Sequence, residues 1–267
     1  MSAQQLVRSF INMLREDGYF VTISSDLEDW VALMSAAPKI SVINPTFDPR
    51  VSDLSAKNSF WLRVTDQTDT PVACIANRLF VTDDYVEVIR SWRLWYDRGL
   101  TAIRPLNMVL PDDLPFIDGR IGHHGGLWVH PDHRKRGLSF VLPRLTRALS
   151  LVRFRPDWHC GMVFAALGDS RLPLANYGYP HMVPCIEGYF PVTDRPERVY
   201  MTYISREEML DQTRGDLDLL ELHPDKKAVD IMAIARQRQD QPAIAPRRVV
   251  HERPDVLVPR HAGVLHG

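Results

Sequence analysis

Apolar residues first recur with helical spacing at Val7, Phe10, Ile11 and Leu14, and Gly18 is placed to end that helix. Residues 19–23 then read as a strand. Ser25 and Glu28 have the spacing of a capping box, ahead of Leu27, Trp30, Val31 and Met34 on one helical face that should end near Pro38. Residues 60–65 and 72–81, rich in β-branched and aromatic side chains, read as the two strands of a hairpin around the polar stretch 66–70. Between residues 83 and 98, Tyr85, Val88, Ile89 and Trp92 return to helical spacing, and Trp95 and Tyr96 extend an aromatic surface.

Residues 121–129 are apolar and glycine-containing, a strand that must stop at His130-Pro131. Leu138, Val141, Leu142, Leu145, Leu149 and Val152 mark the next helix, which Pro143 requires to begin near Ser139 or Phe140, leaving residues 131–137 as the loop between them. A buried strand at 158–166, a short helix at 172–177 and strands at 182–189 and 199–204 follow. Ser205 with Glu208 forms another capping box, opening a helical extension over 205–240 in which residues 229–238 are periodic. Residues 241–267 hold many Pro, Arg and His residues without an apolar period and are expected to be disordered.

Composition narrows the function little. The 267 residues are 45% hydrophobic and carry 32 basic against 33 acidic side chains, so no overall field attracts nucleic acid or an anionic membrane. Three cysteines, Cys74, Cys160 and Cys185, without a CxxC pair, argue against a disulfide framework and a thiolate zinc site. With no basic leader or membrane-length apolar run, the expectation is a cytoplasmic protein.

The chemistry-bearing segment runs from Gly126 to Ser139: a strand end, a basic loop with Arg134, Lys135 and Arg136, then Gly137 and a helix start. Backbone amides at a helix N-terminus lack intrahelical acceptors and sit at the positive end of the macrodipole, so a diphosphate can bind there. Leu127, Val129, Pro131, Arg134 and Gly137 match the pattern LxVxP followed by [QR]xxGx[GA], and Ser139 stands where that pattern has Gly or Ala. On these residues the chain resembles the GNAT acyltransferase superfamily, over approximately residues 19–204.

The resemblance implies an α+β fold: a mixed, mostly antiparallel sheet flanked by helices. An N-terminal helix (1–18), a helical insertion (83–119) and a helical extension (205–240) would lie outside its common core. It implies acetyl-CoA or another acyl-CoA as cosubstrate, held by Leu127, Trp128, Val129, Arg134, Lys135, Arg136, Gly137, Leu138 and Ser139, with a strand bulge tolerated at Gly125-Gly126. The amide of Leu127 or Trp128 would polarise the thioester while an amine attacks it directly. His123 is the first choice of general base, His124 the second, and Tyr177 would reprotonate the thiolate, with Tyr179 as a packing aromatic and solvent as the alternative acid. The implied partner is an amine acceptor, with no nucleic acid, membrane or metal, and Arg247, Arg248, Arg253 and Arg260 offer contacts to a second subunit. A non-catalytic acyl-CoA-binding module and an N-acyl amino acid or acyl-homoserine-lactone synthase remain alternatives.

Overall fold

The computed structural model describes residues 2–97 and 106–240, so the expectation for residues 241–267 lies outside the described residues. Helix α1 (Ala3–Glu16) is followed by β1 (Phe20–Ser24), α2 (Leu27–Ala36), a 3-10 turn (Pro45–Phe47), the hairpin β2 (Ser59–Thr65) and β3 (Pro71–Thr82), and α3 (Tyr85–Arg90). Next come β4 (Gly119–Val129), α4 (Leu138–Phe154), β5 (Trp158–Phe164), the short helices α5 (Ala165–Gly168) and α6 (Leu172–Ala175), and the hairpin β6 (His181–Phe190) and β7 (Arg195–Ser205). Two longer helices, α7 (Arg206–Leu222) and α8 (Ala228–Asp240), complete the described chain.

The seven strands form one sheet in the order β1-β2-β3-β4-β5-β7-β6. Only β4 and β5 run parallel, and they pair over just four positions, Ile121–His124 against Trp158–Gly161. The crossover between them is α4, the kind of connection a parallel pair requires. This is the expected mixed, mostly antiparallel α+β fold.

Both faces of the sheet are covered. On one, α1, α4, α7 and α8 bury Phe60, Leu62, Val64 and Ile75. On the other, α2 and the Pro45–Phe47 turn bury Trp61, Cys74, Ala76 and Trp128 around Trp30. No described helix is long and apolar enough to cross a membrane.

Several local expectations need correction. The N-cap of α2 is Asp26, whose Oδ1 accepts from the Glu28 amide at 3.0 Å, while Ser25 accepts from Arg153. Helix α3 is only six residues long because Trp92, with φ +69°, turns the chain out of helical geometry. Helix α4 begins at Leu138, so Pro143 falls inside it and leaves the Ser139 carbonyl without its usual amide donor. The capping box of Ser205 and Glu208 is present in full.

Candidate functional site

The site is organised by strand β4. Against β3 its register slips: Ala76 pairs with Gly125 but Cys74 pairs with Trp128, so Gly126 and Leu127 together face Ile75. That is a bulge, and Gly126 supplies the positive φ of +60° it needs. A Cβ at Gly126 would lie 2.4 Å from the Trp30 ring, so the close approach of α2 requires glycine as well. Beyond His124, β4 has no pairing with β5, whereas Met162–Phe164 of β5 continue on β7 alone. The two strands therefore diverge at the bulge, leaving a notch in the sheet.

At its far end β4 runs into the basic loop. Pro131–His133 form a 3-10 turn, Lys135 and Gly137 take left-handed φ values of +62° and +85°, and α4 follows. Arg134, Lys135 and Arg136 are exposed. Among the described residues no oxygen accepts from the amides of Lys135, Arg136, Gly137, Leu138 or Ser139. A cavity of about 240 Å³ adjoins them, lined by Asp17, Tyr19, Lys135, Arg136, Lys227 and Val229. Its side chains carry three positive charges against one negative, a field suited to an anion.

The loop is shaped by the helices packed against it. The glycine at 137 admits backbone from α8, since a Cβ there would lie 2.5 Å from the Ala228 carbonyl carbon. The α8 start is fixed by the Ala228 amide donating to Asp17 at 2.8 Å. Arg144 and Arg147, further along α4, are buried. Arg144 pairs with Asp216 at 3.1 Å, and Arg147 donates to the Tyr177 carbonyl and to Gln212.

His123 and His124 point to opposite faces, as alternation along a strand requires. His123 stacks on Phe47, and its Nδ1 lies 2.7 Å from the Tyr85 hydroxyl. Among the described residues its Nε2 carries no hydrogen bond. Burial, and then the nearby charge of Arg78, lower its pKa to about 3. Arg78 is held by Asp97 and Ser52 and lies over Phe80, which ties the loop after the 3-10 turn to the site.

His124 is part of a different structure, buried under α4. Its Nε2 is 3.1 Å from the Tyr179 hydroxyl, which is 2.9 Å from His159 Nδ1, and His159 Nε2 reaches Asn77 Oδ1 at 3.0 Å. Burial pushes the pKa of both imidazoles well down and that of Tyr179 up. This network occupies the core between sheet and helix, on the face away from His123. Tyr177 packs with Leu151, Ile204 and Met209 on the same α4 face, its pKa pushed up to about 12 by burial. It lies on the face opposite His123, so the two do not form one proton-transfer pair.

Sequence reasoning missed Asn44, Phe47, Arg78 and Tyr85. Asn44-Pro45 was the available signal: Asn44 caps the 3-10 turn by accepting from the Thr46 amide, with proline at its first position. That turn sets Phe47 and Asn44 within 2.8 and 3.2 Å of where a Gly125 side chain would begin.

The sequence matches no family model and no curated protein. Among solved structures, the chain is similar to Arabidopsis thaliana NAA60 in complex with acetyl-CoA, at 13% identity and a TM-score of 0.46, over 70% of this chain and 98% of that one. It is also similar to a spermidine N-acetyltransferase mutant from Vibrio cholerae, at 12% identity and 0.44, over 72% and 98%. The ribosomal-protein-S18-alanine N-acetyltransferase of Escherichia coli matches at 15% and 0.41, over 70% and 94%.

Proposed function

We propose that this chain is an acyl-CoA-dependent N-acyltransferase of the GNAT type, moving an acyl group, in the simplest case acetyl, from coenzyme A to an amine. The observation that carries this reading is a continuity: the edge of β4 left open beyond His124 leads directly into five amides at Lys135–Ser139 that have no acceptor among the described residues. A diphosphate would take those amides beside Lys135, Arg136 and Lys227, and a pantetheine arm would lie along the open edge. The thioester then reaches the bulge, where the amide of Leu127 polarises its carbonyl, the Trp128 amide being turned toward the Cys74 thiol.

The neutral amine attacks that carbonyl, a C–N bond forms, the C–S bond breaks, and the thiolate leaves to be protonated by solvent. His123, with a pKa of about 3, is too weakly basic to hold the proton of an ammonium ion near neutral pH. Its Nε2 serves as a hydrogen-bond acceptor that orients the amine, while Tyr85 fixes the ring through Nδ1. The proton passes to water. Tyr177 has no part in this scheme.

A second reading, a module that binds acyl-CoA without transferring the acyl group, is favoured by the low basicity of His123 and the position of Tyr177. Calorimetry with coenzyme A, paired with thiol release from acetyl-CoA across a panel of amines, separates the two. Binding with release supports the transferase, and binding alone supports the module. A folded protein with no affinity for coenzyme A refutes both. The double variant Lys135→Glu with Arg136→Glu, which leaves α8 in place, is expected to weaken coenzyme A at least tenfold.

A further inference from the structure

Beside the bulge lies a cavity of about 110 Å³, its wall including Asn44, Trp95, Met162, Phe190, Val192 and Thr193. Three facts connect it to the reaction. Met162–Phe164 are the residues of β5 that have parted from β4, so the cavity opens into the notch. Asn44 belongs to both the cavity and the wall facing Gly125. The β6–β7 hairpin, through Phe190, Val192 and Thr193, closes the cavity on the β5 side of the notch.

No charged side chain among the described residues lines this cavity, and Asn44 and Thr193 are its only polar ones. Its aromatic wall is rigid: Trp95 meets the Phe190 ring edge-on at 5.1 Å, and Trp92 stacks behind it at 5.9 Å. The volume is of the order of the ~150 Å³ apolar cavity known to hold benzene. A polyamine or a lysine side chain brings further charge or a polar backbone, and burying either here without a carboxylate would be unfavourable.

Resting on the transferase reading, we infer that this cavity is the acceptor subsite and that the acceptor is a monoamine carrying an apolar group of about phenyl or short-alkyl size. The donor takes the β4 side of the notch, and the cavity adjoins the thioester from the β5 side. The apolar group seats against Trp95 and Phe190 while its amine projects past Asn44 to the bulge. Specificity is then set by the tryptophan-bearing insertion and the β6–β7 hairpin.

The test measures kcat/KM with acetyl-CoA for methylamine through hexylamine, phenethylamine and spermidine. The expected result is a rise of about fourfold per methylene until the cavity is full, with phenethylamine among the best acceptors and spermidine among the poorest. Val192→Trp, a half-buried position in the cavity wall, should lower kcat/KM for hexylamine at least tenfold more than for methylamine, moving the chain-length optimum to shorter amines. Should Val192→Trp fail to fold, Val192→Asp is expected to narrow the gap between hexylamine and spermidine. Coenzyme A binding with spermidine preferred overturns the inference and spares the transferase. Chain-length dependence that follows the acyl group and not the amine assigns the cavity to the donor and overturns it equally. No coenzyme A binding by calorimetry removes the transferase reading itself.

Discussion

Acid should unfold this protein at a pH where most domains remain folded. His123, His124 and His159 are 2%, 6% and 0% exposed and are held neutral by burial. In the unfolded chain each titrates near pH 6.5. A depressed folded-state pKa means that the unfolded chain binds more protons, so each ring's contribution to stability is complete above pH 6.5 and is lost as the pH falls toward the folded value, about 3 for His123. From pH 7 to pH 5 the loss is ~2 kcal/mol for a ring that stays neutral, ~6 kcal/mol for three. A typical domain has ~5–15 kcal/mol in total. Urea unfolding followed by tryptophan fluorescence at pH 7, 6 and 5 should show the midpoint falling steeply with an unchanged slope. A stability loss under ~2 kcal/mol over that range, or a native imidazole among the three titrating near pH 6.5 by NMR, would refute the reasoning.

Other consequences are as direct. Gly137→Ala puts a Cβ 2.5 Å from the Ala228 carbonyl carbon at a φ of +85°, and should cost ~2 kcal/mol or more and loosen α8, seen as faster amide exchange over residues 228–240. The same contact makes Gly137→Glu a poor probe of phosphate binding, because it dislodges α8 first. Arg144→Met strips Asp216 of its buried partner and should cost ~3–5 kcal/mol by denaturant unfolding; a cost below ~1 kcal/mol means the pair is solvated. Tyr85→Phe leaves His123 Nδ1 unpaired and should cost ~1–3 kcal/mol. Deletion after Asp240 is expected to leave coenzyme A affinity unchanged, and a loss on titration would make the tail part of the site.

The sequence made the elements legible wherever periodicity was long. The strands from residue 60 onward and the loop between β4 and α4 lie within a few residues of where the apolar spacing put them. What it hid was set by tertiary contact. Asn44 and Phe47 belong to a stretch without apolar period whose partners, Gly125 and His123, lie some eighty residues away. Arg144 and Arg147 lie on a helix whose apolar period gives no sign that they are interior groups; their partners Asp216 and Gln212 come from α7, about seventy residues on. Gly137 is a fair phosphate-loop glycine by motif, yet its missing side chain is explained by a helix ninety residues further on. Strand alternation alone puts His123 and His124 on opposite faces, but the Tyr85 and Tyr179 hydroxyls that meet their rings come from distant elements.

The four-position pairing of β4 with β5 also makes the sheet mechanically two pieces, β1–β4 and β5–β7–β6, joined along a short seam and by α4. A molecule lodged in the notch touches both pieces at once and acts as a missing stretch of strand. Its binding free energy becomes cohesion across the seam, ~2.7 kcal/mol at a hundred times Kd. Ligand screening by thermal shift should therefore be sensitive to occupants of the notch and less so to molecules held by one half alone, which gives a route to what the notch binds that needs no assay of turnover.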